Sequence, residues 1–321
     1  MVARSLGSSG SSALKMSLRK DGTGKAMQEE CKLQKYGLKR KNCPAFRSFA
    51  HMKQTLVVNG RRVAYVSEVS SGSGVLPLVL LHGLCEDADL WVPMLPVLDN
   101  IPLIRVDLPG FGASDLPLTP GMEAYADAVC AVLNALDVPR AVVVGHSMGG
   151  YTALAFAEHY PERLAGLGLF HAHPFADTPD RVEARHRSIV LLKDGKRDLY
   201  VQSMFPGLFA PAFATAHPEK VEWVIKHQGC RQSAEGIVVA LEGMMARPDR
   251  TATLRECPHP VLWLLGAMDA LVPTVPALDA AALCPVSMVH LLPGVGHMGM
   301  LEAPAECAGI LQAFYAYCAG R

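Results

Sequence analysis

Short apolar runs alternate with longer stretches in which apolar positions recur at helical spacing, and the alternation continues through most of the chain. Residues 54–58 and 61–69 alternate apolar and polar positions on either side of Asn59-Gly60, the pattern of a hairpin. Residues 76–81, 101–106, 141–144, 164–170, 261–265 and 289–292 are nearly continuous apolar runs, as expected of strands buried on both faces. Between them, residues 90–98, 122–136, 151–159 and 304–318 carry helical apolar stripes. Thr119 and Pro120 are read as cap and first residue of the second of these helices, and Pro304 opens the last. Strands alternating with helices predict a mostly parallel sheet covered by helices on both faces.

Residues 171–260 break this rhythm. They contain no convincing strand but read as several helices, at 181–192, 198–204, 218–227 and 234–246. A structureless loop of that length is implausible in a compact domain. Met204, Phe205, Leu208, Phe209, Phe213, Met244 and Met245 give this segment an apolar interior of its own, with a minority of them expected to face a pocket.

The chemistry begins at Gly145-His146-Ser147-Met148-Gly149-Gly150, between the run 141–144 and the helix 151–159. A serine flanked by glycines at that spacing sits at the tip of a turn too tight for ordinary side chains. Its hydroxyl lies at the amino end of a helix whose free N–H groups favour developing negative charge. A serine hydroxyl needs a base, normally a histidine, and the histidine needs an orienting carboxylate. Asp269 follows the strand 261–265 and His297 follows the strand 289–292, each just past a carboxyl end, where parallel sheets place their sites. Attack on a carbonyl builds charge on its oxygen, and the backbone N–H of Met148 is one expected donor to it. Other histidines carry plainer readings. His82 and His146 are expected to be structural, and His171 and His173 to be hinge or lining residues rather than metal ligands, since no metal spacing such as H-E-x-x-H occurs.

Five landmarks occur in order: His82-Gly83; Asp107-Leu108-Pro109-Gly110-Phe111-Gly112-Ala113-Ser114; the Ser147 turn; Gly266-Ala267-Met268-Asp269; and Gly296-His297-Met298-Gly299-Met300-Leu301-Glu302-Ala303-Pro304. Through them, residues 54–318 resemble the α/β-hydrolase superfamily in its serine-hydrolase branch. The resemblance implies an α/β-hydrolase fold: a mostly parallel eight-stranded sheet flanked by helices, with a helical cap inserted after the sixth strand. It implies residues 52–174 and 257–321 as the core and 175–256 as the cap. It also implies the chain order nucleophile, acid, base, carried by Ser147, Asp269 and His297, with Leu84 supplying the second N–H of the oxyanion hole. In this superfamily the acid can instead follow the preceding strand, which makes Asp177 the alternative.

The implied reaction is hydrolysis of a small-molecule carboxylic ester through an acyl-enzyme, with no cofactor and no metal. A thioesterase, a lactonase, a carbon–carbon bond hydrolase and a cofactor-free perhydrolase share the triad and stay open. A ligand-binding protein on the same fold is the non-enzymatic alternative. Ser147 disfavours the haloalkane dehalogenases and epoxide hydrolases, which use an aspartate nucleophile.

Composition changes the picture only at the amino end. The net charge of zero splits into +8 over residues 1–51, with eleven Lys or Arg against three Asp or Glu, and −8 over the rest. With much Ser and Gly and little apolar periodicity, residues 1–51 read as a disordered basic leader without the apolar run of a secretory signal. The zero overall charge argues against nucleic acid as a partner. No apolar window is long enough to span a membrane. The nine cysteines lack paired spacing, which fits reduced thiols and a cytoplasmic location. Cys85, near His82-Gly83, reads as a small packing residue. The oligomeric state is left open.

Overall fold

The computed structural model of the chain describes residues 53–321; the expected leader at 1–51 lies outside them. Eight strands form one sheet: β1 (Gln54–Val58), β2 (Arg61–Ser67), β3 (Leu78–Leu81), β4 (Leu103–Asp107), β5 (Ala141–His146), β6 (Leu164–Phe170), β7 (Val261–Gly266) and β8 (Ser287–Leu292), in the order β1-β2-β4-β3-β5-β6-β7-β8. β1 and β2 form the expected hairpin, and β2 meets β4 antiparallel. All other pairs are parallel. β3 through β7 are buried along their whole length, which explains why their sequences are mostly apolar rather than alternating, with Arg105 and Asp107 of β4 as buried exceptions.

Register decides where chemistry can sit. Leu81 pairs with Gly145, His146 with Phe170, Phe170 with Leu264, and Gly266 with Leu292. The carboxyl ends of β3, β5, β6, β7 and β8 therefore align along one edge of the sheet. The chain leaves that edge as the loops carrying Gly83, Ser147, His171, Asp269 and His297.

Eleven helices occur among the described residues: α1 (Met122–Ala135), α2 (Met148–His159), α3 (Pro179–Lys193), α4 (Arg197–Met204), α5 (Pro211–Ala216), α6 (Pro218–His227), α7 (Ala234–Ala246), α8 (Thr251–Glu256), α9 (Thr274–Ala281), α10 (Gly299–Glu302) and α11 (Pro304–Ala319). α3 to α8 lie between β6 and β7, so the helical cap is inserted after the sixth strand. The cap is tied to the core by buried amides: Gln228 Oε1 accepts the Asp87 N–H at 2.8 Å, and Gln232 Oε1 accepts the Gly112 N–H at 2.9 Å.

Three local expectations are corrected. Residues 90–98 do not form an α-helix; the segment is a 3₁₀ turn at Ala88–Met94, because Pro93 lies inside it and has no N–H to continue an α ladder. Thr119 and Pro120 do not cap α1. That helix starts at Met122 behind Gly121, which has φ 155° and no capping side chain. Gly243 of α7 approaches the Gly121 backbone so closely that a Cβ on Gly243 would lie 2.9 Å from Gly121 N, and the tight crossing sets the helix start. The helix expected at 151–159 begins three residues earlier, at Met148, directly after the turn. The short α5, α8, α9 and α10 are absent from the sequence reading, being too brief to show a helical period.

One polar anchor joins the first strand region to this frame. Asp107, at the end of β4, is fully buried. It accepts the Ala88 and Ala113 N–H groups, both at 2.9 Å, and the Lys53 ammonium at 2.8 and 3.0 Å. Removing the cation leaves a buried carboxylate without its ion pair. K53M is therefore expected to cost about 1–3 kcal/mol, read as a fall in unfolding free energy by denaturant titration, with K53R retaining most of the stability.

Candidate active site

Ser147 occupies the turn between β5 and α2 with φ 52° and ψ −115°, a conformation rarely adopted by residues other than glycine and one that costs about 1–3 kcal/mol. Its surroundings enforce it. The Ser147 N–H donates to the Phe170 carbonyl at 3.0 Å, and its own carbonyl accepts from Gly150 at 2.9 Å and Tyr151 at 3.3 Å. A Cβ on Gly145 would overlap the Gly149 backbone, and one on Gly149 would overlap the Leu81 carbonyl. The two glycines let strand, turn and helix close on one another, and Ser147 stays partly exposed at the carboxyl edge.

The structure brings Asp269 and His297 together. His297 Nδ1 lies 2.7 Å from Asp269 Oδ2, and both side chains are almost completely buried. Asp269 Oδ1 accepts the N–H groups of Leu271 at 2.8 Å and Val272 at 3.1 Å. Burial works to raise the Asp269 carboxyl, but the His297 ring, its hydrogen bond and the backbone donor Leu271 outweigh it and hold the group well below the usual carboxylate range. An anionic Asp269 fixes the proton of His297 on Nδ1. His297 Nε2 is buried with no hydrogen-bond partner among the described residues. Asp177, the alternative acid, sits elsewhere: it is buried against Arg185 and, at 2.9 Å, Arg247.

Three further residues that sequence reasoning did not single out brace the segments around the site. Glu302 accepts the N–H groups of Gly296 and Met298, on either side of His297, and that of Ala210 from the cap, at 3.0–3.1 Å. The His297 N–H itself donates to the cap carbonyl of Leu208 at 2.7 Å. Burial pushes the Glu302 carboxyl above its ordinary value, against these three donors. Glu86 is the second and lies beneath the Gly83 loop. Its Oε2 accepts the Gly83 N–H at 2.6 Å and faces His146 Nδ1 at 3.0 Å. Arg247 is the third; it stacks 3.9 Å over the ring of Tyr151, on α2.

The remaining histidines divide by partner. His82 accepts the Leu108 N–H on Nε2 at 2.9 Å and donates from Nδ1 to the Gly83 carbonyl at 2.8 Å, and burial lowers its pKa, so it is a neutral brace. His171 is fully buried behind Asp269, with Nδ1 3.7 Å from Oδ2 and neither ring nitrogen hydrogen-bonded among the described residues; burial drives its pKa far down. His173 accepts the Phe175 N–H and meets the Tyr151 hydroxyl at 3.3 Å, and burial with Arg247 and Arg181 brings it down to about 3. Among the described residues no group of three or more His, Cys, Asp or Glu is arranged to hold a metal ion, no helix is long and apolar enough to cross a membrane, and seven cysteines are free thiols.

Leu84 follows Gly83 in the loop after β3, and Met148 follows Ser147 directly. Met148 is the first residue of α2, and neither its N–H nor that of Leu84 is taken up by a hydrogen bond within the described fold. The arrangement holds a hydroxyl, an imidazole with one bare nitrogen, a carboxylate behind it and two free N–H donors at one sheet edge.

Comparison with known proteins agrees with this architecture. Residues 77–185 match the family model described as the alpha/beta hydrolase fold. The chain is 30% identical over 246 residues to a 2-hydroxy-6-oxononadienedioate/2-hydroxy-6-oxononatrienedioate hydrolase of Burkholderia vietnamiensis, covering 72% of this chain and 84% of that protein. It is 30% identical over 250 residues to the dihydrolipoyllysine-residue acetyltransferase component of an acetoin cleaving system of Pseudomonas putida; the match takes in 76% of this chain and spans only 64% of that longer protein. Among solved structures, a thermophilic esterase from Thermogutta terrifontis superposes with a TM-score of 0.76 at 30% identity, covering 83% of this chain and 98% of the esterase. The chain is thus an enzyme of a hydrolytic class built on a mostly parallel sheet. It belongs to the α/β-hydrolase fold family.

The Glu86–His146 pair makes a pH signature. Burial alone favours neutral forms, but mutual attraction and the shared hydrogen bond hold Glu86 below its ordinary 4.5 and His146 above its ordinary 6.5. A lowered carboxyl gives stability that is full above the unfolded value and lost as pH falls through the folded one. A raised imidazole gives stability that is full below the unfolded value and lost as pH rises through the folded one. The pair is therefore worth most between pH 4.5 and 6.5. Thermal melts of wild type and E86Q are expected to differ most in that window, with the gap narrowing on both sides; a gap independent of pH would contradict the ion pair.

Proposed function

We propose that the chain is a serine hydrolase of carboxylic esters working through an acyl-enzyme, with Ser147 as nucleophile, His297 as general base and acid, and Asp269 as the group that orients the imidazole. The observation that carries this reading is the 2.7 Å contact of His297 Nδ1 with Asp269, which leaves Nε2 bare in a buried setting beside the Ser147 turn. His146, the residue before Ser147, lies with Nε2 2.9 Å from the His297 carbonyl, so the two loops meet at this point.

The steps follow from the groups. His297 Nε2 takes the Ser147 proton as Oγ attacks the ester carbonyl. The carbonyl electrons move to oxygen, and the N–H groups of Leu84 and Met148 stabilise that charge together with the amino end of α2. Asp269 stays ionised and holds the imidazolium that forms. His297 then gives its proton to the departing alkoxide, which leaves as the alcohol, and the acyl group remains on Ser147. Water, deprotonated by His297, repeats the attack and releases the acid. No step calls for a metal or a cofactor. In this reading the cap, residues 175–256, shapes the acyl pocket and excludes water, which strengthens the polar interactions beneath it.

The relatives support the class and bear on its range. An esterase and a dienedioate hydrolase stand at the same 30% identity, so cleavage of a carbon–carbon bond next to a ketone is the second reading. A panel of short-chain chromogenic esters beside a vinylogous diketone separates the two by relative kcat/KM. No turnover of either, with tight binding of an acyl ligand, would point to a binding protein.

S147A is expected to fold and to lose about a million-fold in kcat, and a fluorophosphonate is expected to label the wild type at Ser147 alone. Near-native turnover by pure S147A would overturn the assignment. D269N is expected to lower kcat about 10⁴-fold. D177N is expected to lower Tm, by leaving Arg185 and Arg247 without their carboxylate, while keeping activity per folded molecule; the reverse pattern would move the acid role to Asp177.

A further inference from the structure

The proposed reaction leaves one buried pair of titratable groups without a task. Glu86 and His146 are each 1% exposed. They come from segments 60 residues apart, and His146 reaches a third segment 151 residues further on, at the His297 carbonyl. A carbonyl oxygen only accepts, so His146 Nε2 carries a proton. His146 Nδ1 and the Glu86 carboxylate, 3.0 Å apart, share the other. The pair is thus neutral as a whole while making directed bonds to Gly83 N–H on one side and His297 O on the other.

Each of those bonds ends on a part that the reaction must hold still. Gly83 precedes Leu84, whose N–H is one of the two proposed donors. A Cβ at Gly83 would come within 2.8 Å of both Glu86 Oε2 and His146 Nδ1, so the loop closes directly onto the pair. Cys85, between Leu84 and Glu86, has φ 61°, a strained value for a residue with a side chain, and is fully buried. The Glu86 carboxylate is the anchor that keeps this short loop in that conformation. His146 is covalently next to Ser147. His297 O belongs to the base itself. An unpaired carboxylate this close to the loop would also oppose negative charge forming on a substrate oxygen, and sharing a proton with His146 removes that penalty.

We propose that Glu86 is a positioning residue of the hydrolytic centre: through His146 and Gly83 it fixes the Leu84 donor, the Ser147 turn and the His297 loop relative to one another, so that it acts on turnover rather than on substrate binding. The proposal rests on the reading of Ser147 as nucleophile, and its test separates the two. The wild type is treated first with a fluorophosphonate; failure to label Ser147 overturns the nucleophile assignment and the positioning role with it. Given labelling, E86Q keeps the shape and an acceptor for Gly83 but cannot hold a protonated His146. Its kcat and its labelling rate are expected to fall together by about 10²-fold, the scale of a small misplacement of reacting groups, with KM within about twofold of wild type. H146N is expected to show a similar loss, and the double variant E86Q/H146N no more than the worse single one, since both break the same link. Should E86Q fail to fold, E86D carries the same split, because it keeps the charge and shortens the arm by one methylene. Wild-type kcat and labelling in E86Q or E86D, a loss confined to KM, or losses that multiply in the double variant would each overturn the role of Glu86 while leaving Ser147 in place.

Discussion

A side chain can be presented at the tip of a strand only if the backbone reverses there without a Cβ colliding, and this one constraint governs the site. Ser147 sits at φ 52° because β5 and α2 close upon each other across Gly145 and Gly149. The strain is held by what surrounds the turn. β5 is buried along its whole length between β3 and β6, and ten residues of α2 are buried against the sheet and its neighbours. Burial of that many side chains is worth far more than the 1–3 kcal/mol of one unusual backbone conformation. The turn is therefore fixed by the core, and the Ser147 side chain is presented without having to be ordered first.

Local chemistry made much of this legible in sequence, and distance hid the rest. Apolar runs mark β3 to β7 because strands buried on both faces need no alternation. The Ser147 turn is visible because its requirements lie within two residues of the serine. Asp269 and His297 could be proposed because each follows a strand end, and the chain order that the family resemblance implies narrowed the choice further. The misreadings have physical causes of longer range. The start of α1 is set by Gly243 crossing Gly121, over a hundred residues away, and no capping rule sees that. Glu86 and Glu302 carry no periodic signal because their partners are a side chain 60 residues on and backbone N–H groups of two separate loops. One clue was present for Glu302: it closes a helix of four residues that begins just after His297, so its carboxylate can fold back over the loop it came from.

The cap is coupled to the His297 loop by hydrogen bonds. Leu208 accepts the His297 N–H, and Ala210 donates to the same Glu302 carboxylate that receives Gly296 and Met298. A Cβ on Gly296 would overlap the backbone of the Phe209–Ala210 link, so cap and base loop touch without intervening side chains. Displacing the 208–210 segment would remove the acceptor of the His297 N–H and one of the three donors to Glu302. The physical expectation is that this stretch moves least.

Three imidazoles lie around one carboxylate, and their partners decide what each can do. His146 faces two acceptors, which hold both of its nitrogens protonated and make it a fixed brace. His171 has no hydrogen-bond partner among the described residues and is fully buried, so it stays neutral and contributes bulk behind Asp269 rather than charge. His297 has one acceptor, on Nδ1, and a bare Nε2. Of the three it alone combines a proton committed to the carboxylate with a nitrogen left available for another. Asp269 is kept ionised by His297 and its backbone donors and so can stabilise positive charge on the ring in front of it. The proposal of His297 rather than His146 or His171 as base is thus supported by counting acceptors around each ring, a quantity set by packing and invisible in the histidine content of the chain.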